Sequence, residues 1–252
     1  MEVCSLTYQG FFVTGTDTNV GKTVITAGLL GALRKRNIDA MAIKPLQSGG
    51  ILDAAFYCAT TPLPYRPAEL TSVCLNLAVA PAVASVEEGV EIDMAKVMAH
   101  FHRLANRHRM VLVEGAGGIL CPLIGTQFTV ADMAMEIGLP LLIVARPTLG
   151  TINHTCLTAA YARAMGMVVA GVIISGYPFD NPGLAERTNP QMIAEMAQVP
   201  VFGVVPQIEG LMSEGEEFLV PGELVSLIEK HVDLDKLLAA ADFPRIKKVS
   251  ND

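Results

Sequence analysis

Gly15-Thr16-Asp17-Thr18-Asn19-Val20-Gly21-Lys22-Thr23 gathers glycines, a lysine and several hydroxyls between an apolar run, Gly10-Phe11-Phe12-Val13, and a helical pattern from Val24 to Arg36. Phosphate binding requires such a strand–loop–helix context, because backbone N–H groups and a helix N-terminus then face an anion. In that reading Asn19 and Val20 belong to the loop, Gly21 allows close backbone approach, and Lys22 reaches the β/γ-phosphates. The Thr23 hydroxyl joins Mg²⁺. The usual first glycine position is held by Thr16, with Gly15 one place earlier, so the loop is a variant. An ordinary strand-to-helix turn with a solvated lysine is the competing reading. Placement directly after a buried strand favours the nucleotide.

Three further stretches end apolar runs with polar chemistry. In Ala42-Ile43-Lys44-Pro45-Leu46-Gln47-Ser48-Gly49-Gly50, Lys44 stands where it either snorkels from a strand edge or neutralises charge on a transferring phosphoryl group. In Val111-Leu112-Val113-Glu114-Gly115-Ala116-Gly117-Gly118, a buried strand delivers a carboxylate into a glycine-rich turn. A buried Glu114 needs a metal or a cation as partner, and a Mg²⁺ role fits its place beside a phosphate loop. Asp53 either joins the same ion or caps a helix. In Gly150-Thr151-Ile152-Asn153-His154, the exposed N–H groups of a helix start suit a substrate carboxylate. His154 is more often a structural hydrogen-bonding residue there and is assigned no catalysis.

These segments must be held by a common frame. Apolar runs at 10–14, 39–44, 109–114, 140–146, 167–175 and 201–205 read as strands. Helical periodicity covers 22–36, 91–106, 128–137, 152–165, 187–197 and 222–240. Their alternation predicts an α/β fold, a mostly parallel sheet with helices on both faces in a single three-layer domain. Ligands of such sheets bind beyond the strands' carboxyl ends. Residues 60–90, with Pro62, Pro64, Pro67 and Pro81, read as an irregular excursion, and segments 176–186 and 206–222 as loops. Residues 1–9 are expected to be a leader and 221–252 a helical extension.

The 252 residues are 51% hydrophobic and 17% charged, enough for a large core. No apolar run approaches the roughly 18–20 residues of a membrane span, and no signal-peptide pattern opens the chain, so no membrane and a cytoplasmic location are expected. The five cysteines, Cys4, Cys58, Cys74, Cys121 and Cys156, have neither paired spacing nor neighbouring histidines, which argues against a zinc site or a disulfide framework. A net charge of −7 opposes nucleic-acid binding. Arg34-Lys35-Arg36 and the basic residues from Arg103 to Arg109 sit at helix ends, where cations complement the macrodipole.

Gly-Thr-Asp-Thr-x-Val-Gly-Lys-Thr at 15–23, Lys-Pro-x-x-Ser-Gly at 44–49, Val-Glu-Gly-Ala-Gly-Gly at 113–118 and Gly-x-Ile-Asn-His at 150–154 together closely resemble dethiobiotin synthetase, in order over positions 11–208. The resemblance implies a P-loop NTPase-like fold with a deviant phosphate loop, and a homodimer. It also implies that 7,8-diaminononanoate, carbon dioxide or bicarbonate, and Mg²⁺-ATP give dethiobiotin, ADP and phosphate through a carbamate and a carbamic–phosphoric anhydride. By the same resemblance Lys22 and Lys44 stabilise phosphoryl and carbamate charge, and Thr23, Asp53 and Glu114 surround Mg²⁺. Thr18, Ser48, Gly117 and Gly118 hold the diamine end, and Thr151, Ile152 and Asn153 receive the far carboxylate near the dimer interface. Ser175, Gly176, Pro206, Gln207 and Ile208 face the nucleoside. Many members have Asn where Ser175 stands, and its amide helps recognise adenine. Ser175 lacks that two-sided hydrogen bonding, so some tolerance of other nucleoside triphosphates is expected. The Asn19 position is often Glu in the family.

Two rivals share parts of this pattern. Partitioning-type switch ATPases resemble it in fold, but they carry a signature lysine where this loop has Asp17. Their basic amphipathic tail also contrasts with the acid-rich segment from Pro221 through Asp242. Amide-forming enzymes of the cobyrinate-diamide type usually append a glutaminase domain with a nucleophilic cysteine, and Cys156 is the last cysteine here.

Overall fold

The computed structural model describes residues 8–208 and 221–241. The chain runs β1 (Gln9–Gly15), α1 (Lys22–Lys35), β2 (Ala40–Ile43), β3 (Leu46–Ser48), α2 (Leu52–Thr60), a short 3-10 turn at Pro67–Glu69 and β4 (Val73–Leu75). It continues through α3 (Pro81–Glu88), α4 (Met94–Ala105), β5 (Met110–Gly118), β6 (Pro122–Ile124), β7 (Phe128–Thr129), α5 (Val130–Ile137) and β8 (Leu141–Ala145). Then follow α6 (Thr151–Ala164), β9 (Val169–Tyr177), α7 (Leu184–Ala197), β10 (Val201–Pro206), α8 (Pro221–His231) and α9 (Leu234–Ala241).

Six of the strands form one sheet in the order β10-β9-β8-β1-β5-β2, and every pairing within it is parallel. A parallel sheet is covered on both faces, which is why β1, β2, β5 and β8 read as unbroken apolar runs. Phe11, Phe12, Val13, Val111, Leu112, Val113 and Leu142 are fully buried at its centre. The order reverses at β1. The connection β1-α1-β2 runs one way along the sheet and β8-α6-β9-α7-β10 the other, so right-handed crossovers put α1 and α6 on opposite faces. On one side α1 packs with α2 and α8, and on the other α6 packs with α7. Helix α8 approaches closely because α1 carries Gly28 and Gly31 there; a Cβ would lie 2.5 Å from Ile228 Cγ1 or 2.4 Å from Val225 Cγ2.

The expected single α/β domain with a parallel sheet is the observed one, and all six expected strands and helices 22–36, 91–106, 128–137, 152–165 and 187–197 are present with shifted ends. Four local expectations need correction. The 60–90 excursion is partly ordered, holding β4, which pairs with β3, and α3, which Pro81 opens at a position where a missing N–H costs nothing. Helix α2 was not foreseen, since its nine residues are apolar nearly all round and show little periodicity. The continuous helix expected over 222–240 is broken: Val232 bridges Gly203 on the edge strand β10, and the Asp233 N–H bonds the Phe202 carbonyl at 2.8 Å. An exposed sheet edge supplies those partners, and no helical periodicity can reveal it. Two residues of the expected 1–9 leader are part of the fold: the Tyr8 hydroxyl meets His102 Nδ1 at 2.9 Å, and Gln9 already belongs to β1. Residues 1–7, 209–220 and 242–252, which carry the rest of the leader, most of the 206–222 loop and the end of the extension, lie outside the described residues.

The basic helix ends are solvated as expected, and two of their cations pair across helices, Lys35 with Glu229 and Arg36 with Asp235, each at 2.6 Å. Among the described residues the cysteines form no disulfide, and no helix is long and apolar enough to cross a membrane.

Candidate active site

A cavity of about 600 Å³ opens at the carboxyl ends of β1, β2 and β5, where the strand order reverses. The loop after β1 forms its floor. Asn19 and Gly21 both have positive φ, 56° and 94°, which turns successive N–H groups toward one side, and α1 starts directly at Lys22. Gly21 is required there: a Cβ would fall 2.3 Å from Ser175 Oγ in addition to the backbone strain. Thr18, Val20, Lys22 and Thr23 complete the floor.

At its back the charges converge. Lys44, at the end of β2, is 4% exposed, and its Nζ lies 2.6 Å from Glu114 Oε1, 2.8 Å from Asp53 Oδ2 and 3.2 Å from the Gly115 carbonyl. The Thr23 hydroxyl stands 2.9 Å from both Asp53 Oδ1 and Glu114 Oε1, and its single proton serves one of them at a time. The Tyr57 hydroxyl donates to Glu114 Oε2. Lys22 curls back over its own loop toward the Asp17 carbonyl at 3.3 Å.

Two ammonium groups and two carboxylates thus share one pocket wall, and their surroundings act differently on each. Burial, helped by the nearby Lys44 charge, holds Lys22 below the ordinary lysine value. Burial also opposes charge on Lys44, but Glu114 and Asp53 outweigh it and hold the ammonium above that value. Burial works to raise Asp53, yet Lys44 and the Thr23 hydrogen bond keep its carboxyl below the ordinary range. Tyr57, enclosed beside Glu114, is pushed well above the ordinary phenol value. Lys44 and Asp53 therefore stay ionised at neutral pH, a cation suited to phosphate oxygens and an anion suited to a divalent cation.

Most residues singled out from sequence lie in this cavity. Ser48 and Gly117 wall it near Lys44, whereas Ser175, Gly176, Pro206, Gln207 and Ile208 wall it on the β9–β10 side. Gly118, Thr151, Ile152 and Asn153 do not line it. Gly118 pairs with Gly15 behind the loop, Thr151 is fully buried at the start of α6, and Asn153 is exposed. His154 accepts from Arg146 Nη2 at 3.2 Å, a structural contact. Arg146, Pro147, Gln47 and the buried Tyr57 are members of the site that sequence patterns did not mark. Tyr57 follows Asp53 at i+4 on α2, so that helix, had it been foreseen, would have placed both on one face.

The fold alone recurs in solved structures of low identity. A chain of the MinC:MinD cell division protein complex of Aquifex aeolicus matches with a TM-score of 0.58 at 18% identity, over 95% of this chain and 98% of that one. A ParA family ATPase from Chlorobium tepidum matches at 0.54 and 14%, over 94% and 100%. A family model described as an AAA domain matches residues 9–215. Sequence relatives are more specific: the ATP-dependent dethiobiotin synthetase BioD of Bacillus velezensis is 40% identical over 235 residues, 91% of this chain and 97% of that protein. That of Bacillus subtilis strain 168 is 38% identical over the same shares. The chain belongs to the dethiobiotin synthetase family.

Proposed function

We propose that this chain is a Mg²⁺-dependent, ATP-consuming cyclo-ligase that converts 7,8-diaminononanoate and carbon dioxide to dethiobiotin. The observation that carries the reading is the buried Lys44–Glu114–Asp53–Thr23 cluster beside the phosphate loop, in a chain 40% identical to a named synthetase. One amine of the diamine adds to carbon dioxide and loses a proton, giving a carbamate. A carbamate oxygen attacks the γ-phosphorus, the bond to the β-phosphate oxygen breaks, and ADP leaves. The second amine attacks the carbonyl of the resulting carbamic–phosphoric anhydride, phosphate departs, and the cyclic urea closes with loss of a proton.

Each step asks the protein for positioning and charge neutralisation more than for covalent work. Lys44 faces the nucleophilic carbamate and the transferring phosphoryl group. Lys22 and the N–H groups of Asn19 through Thr23 hold the phosphate chain. Thr18, Ser48 and Gly117 flank the diamine end, and Ser175 through Gly176 with Pro206 through Ile208 flank the nucleoside.

The donor set at the back of the cavity suits Mg²⁺. It is all oxygen, and two carboxylates with a threonine hydroxyl match the one or two carboxylates this ion usually takes beside substrate phosphates. Thr23, Asp53 and Glu114 would hold it, and it would screen the phosphate charge and fix its orientation. Thr151, Ile152 and Asn153 lie outside this cavity, which fits a homodimer whose interface completes the carboxylate end of the site, and Gly118 backs the diamine end from behind the loop. The protein works in the cytoplasm.

Phosphate release is measured with ATP, diaminononanoate, bicarbonate and Mg²⁺, omitting each in turn. Dependence on all four is expected. ATP hydrolysis at an equal rate without the diamine would refute the synthetase reading.

A further inference from the structure

Gln47 lies in the cavity wall, in β3, between Lys44 and Ser48. It is 2% exposed, yet neither its Nε2 nor its Oε1 has a hydrogen-bond partner in the protein. Enclosing a carboxamide with both ends unpaired is costly, and such groups in folded proteins are otherwise paired almost without exception. The backbone does not need the amide. Gln47 is held by the β3–β4 pairing opposite Cys74, and the following turn by Gly49 N–H to the Leu77 carbonyl at 3.1 Å and Gly50 N–H to the Leu75 carbonyl at 2.9 Å. Among the described residues, the remaining buried side-chain atoms without a partner are threonine hydroxyls and Arg146 Nε. Gln47 is the one carboxamide in that group, with a fixed donor end and a fixed acceptor end both unmet on separate atoms.

This double vacancy of pairing constrains the ligand. Phosphate oxygens accept only, so the phosphate chain of a nucleotide would satisfy Nε2 and leave Oε1 stranded. An amine next to a carbamate offers both functions: carbamate oxygen accepts from Nε2–H, and amine N–H donates to Oε1. The neighbouring charges agree, since Lys44, Glu114 and Asp53 line the same part of the cavity. We propose that Gln47 contacts the amine–carbamate end of the acceptor substrate and selects for it, an assignment that rests on the synthetase reading above.

Gln47→Met keeps the length of the side chain and removes its hydrogen bonding, and Gln47→Ala serves as a second variant should the first not fold. KM for diaminononanoate is measured at saturating ATP and bicarbonate, and ADP affinity by calorimetric titration. The expected result is a KM raised at least fivefold with an ADP Kd changed less than twofold. A smaller rise in KM, or an ADP Kd that rises in step with it, overturns the assignment, because a purely structural amide would disturb both ligands or neither. If the unaltered protein releases no phosphate in response to the diamine, the synthetase reading itself fails and this assignment falls with it. A normal response with an unmoved KM removes Gln47 alone.

Discussion

Lys44→Met removes one charge while keeping the aliphatic stem, and the consequences can be sized from its contacts. The ammonium meets Glu114 at 2.6 Å and Asp53 at 2.8 Å. Each contact has a gross attraction of about 6 kcal/mol at an effective dielectric of about 20. Desolvating a lysine that is only 4% exposed cancels much of this. What remains decisive is asymmetry: without Lys44, the fully buried Glu114 keeps only hydroxyl partners in Thr23 and Tyr57. Losing one partner of a buried pair costs roughly 3–5 kcal/mol of stability. Loss of charge stabilisation in the transition state costs about 3–4 kcal/mol more, a fall in turnover of about a hundredfold to a thousandfold. Urea unfolding and phosphate release read the two separately. Adding Glu114→Gln to Lys44→Met should return at least half of the lost stability and none of the turnover, since it removes the stranded charge without restoring the cation. Turnover within tenfold of the unaltered protein in folded Lys44→Met would refute the catalytic role and leave Lys44 a partner for two carboxylates.

The remaining expectations draw on single contacts. Because Tyr57 is held well above its ordinary value of 10.0, the unfolded chain releases this proton first as pH rises, and the folded state loses stability above about pH 10 at about 1.4 kcal/mol per pH unit. Tyr57→Phe should shallow that alkaline decline in urea unfolding, and an identical slope would contradict the burial of its proton. Ser175 offers one hydroxyl to the β9–β10 side of the cavity, so turnover with ATP, CTP and GTP should lie within about a hundredfold; ATP preference above about a thousandfold, ~4 kcal/mol, would rule this out. Gly21→Ala should lower stability by roughly 1–3 kcal/mol and weaken ADP binding, because φ of 94° and a Cβ 2.3 Å from Ser175 Oγ both oppose a side chain; unchanged unfolding and ADP titrations would show the loop to be freer than its geometry.

The frame of the molecule was legible wherever burial is continuous along the chain. The unbroken apolar runs of β1, β5 and β8 identify parallel strands because both sheet faces are covered, and the glycine-lysine-threonine turn after Val13 marks where phosphate chemistry belongs. Lys44, Asp53 and Glu114 were readable as candidates for a related reason: charge at the end of an apolar strand or in a glycine-rich turn needs a purpose or a partner. Helix α2 was not legible, since its nine residues are apolar on most sides and sit among turn signals. Nor was the break at Val232, whose partner on β10 lies nearly thirty positions away in sequence.

What sequence determined by itself is therefore the sheet, its polarity and the identity of most groups that face the cavity, because hydrophobic periodicity and turn chemistry are local properties. Tertiary structure alone decided which of those groups meet. It set Lys44 between Glu114 and Asp53, laid the Tyr57 hydroxyl on Glu114, enclosed Gln47 without a partner, and kept Thr151, Ile152 and Asn153 out of the cavity. Contacts between residues tens of positions apart depend on crossover hand, helix placement and sheet order. None of these is encoded in the spacing of residues along a single segment, so pairings and pKa shifts emerge only once the layers have packed.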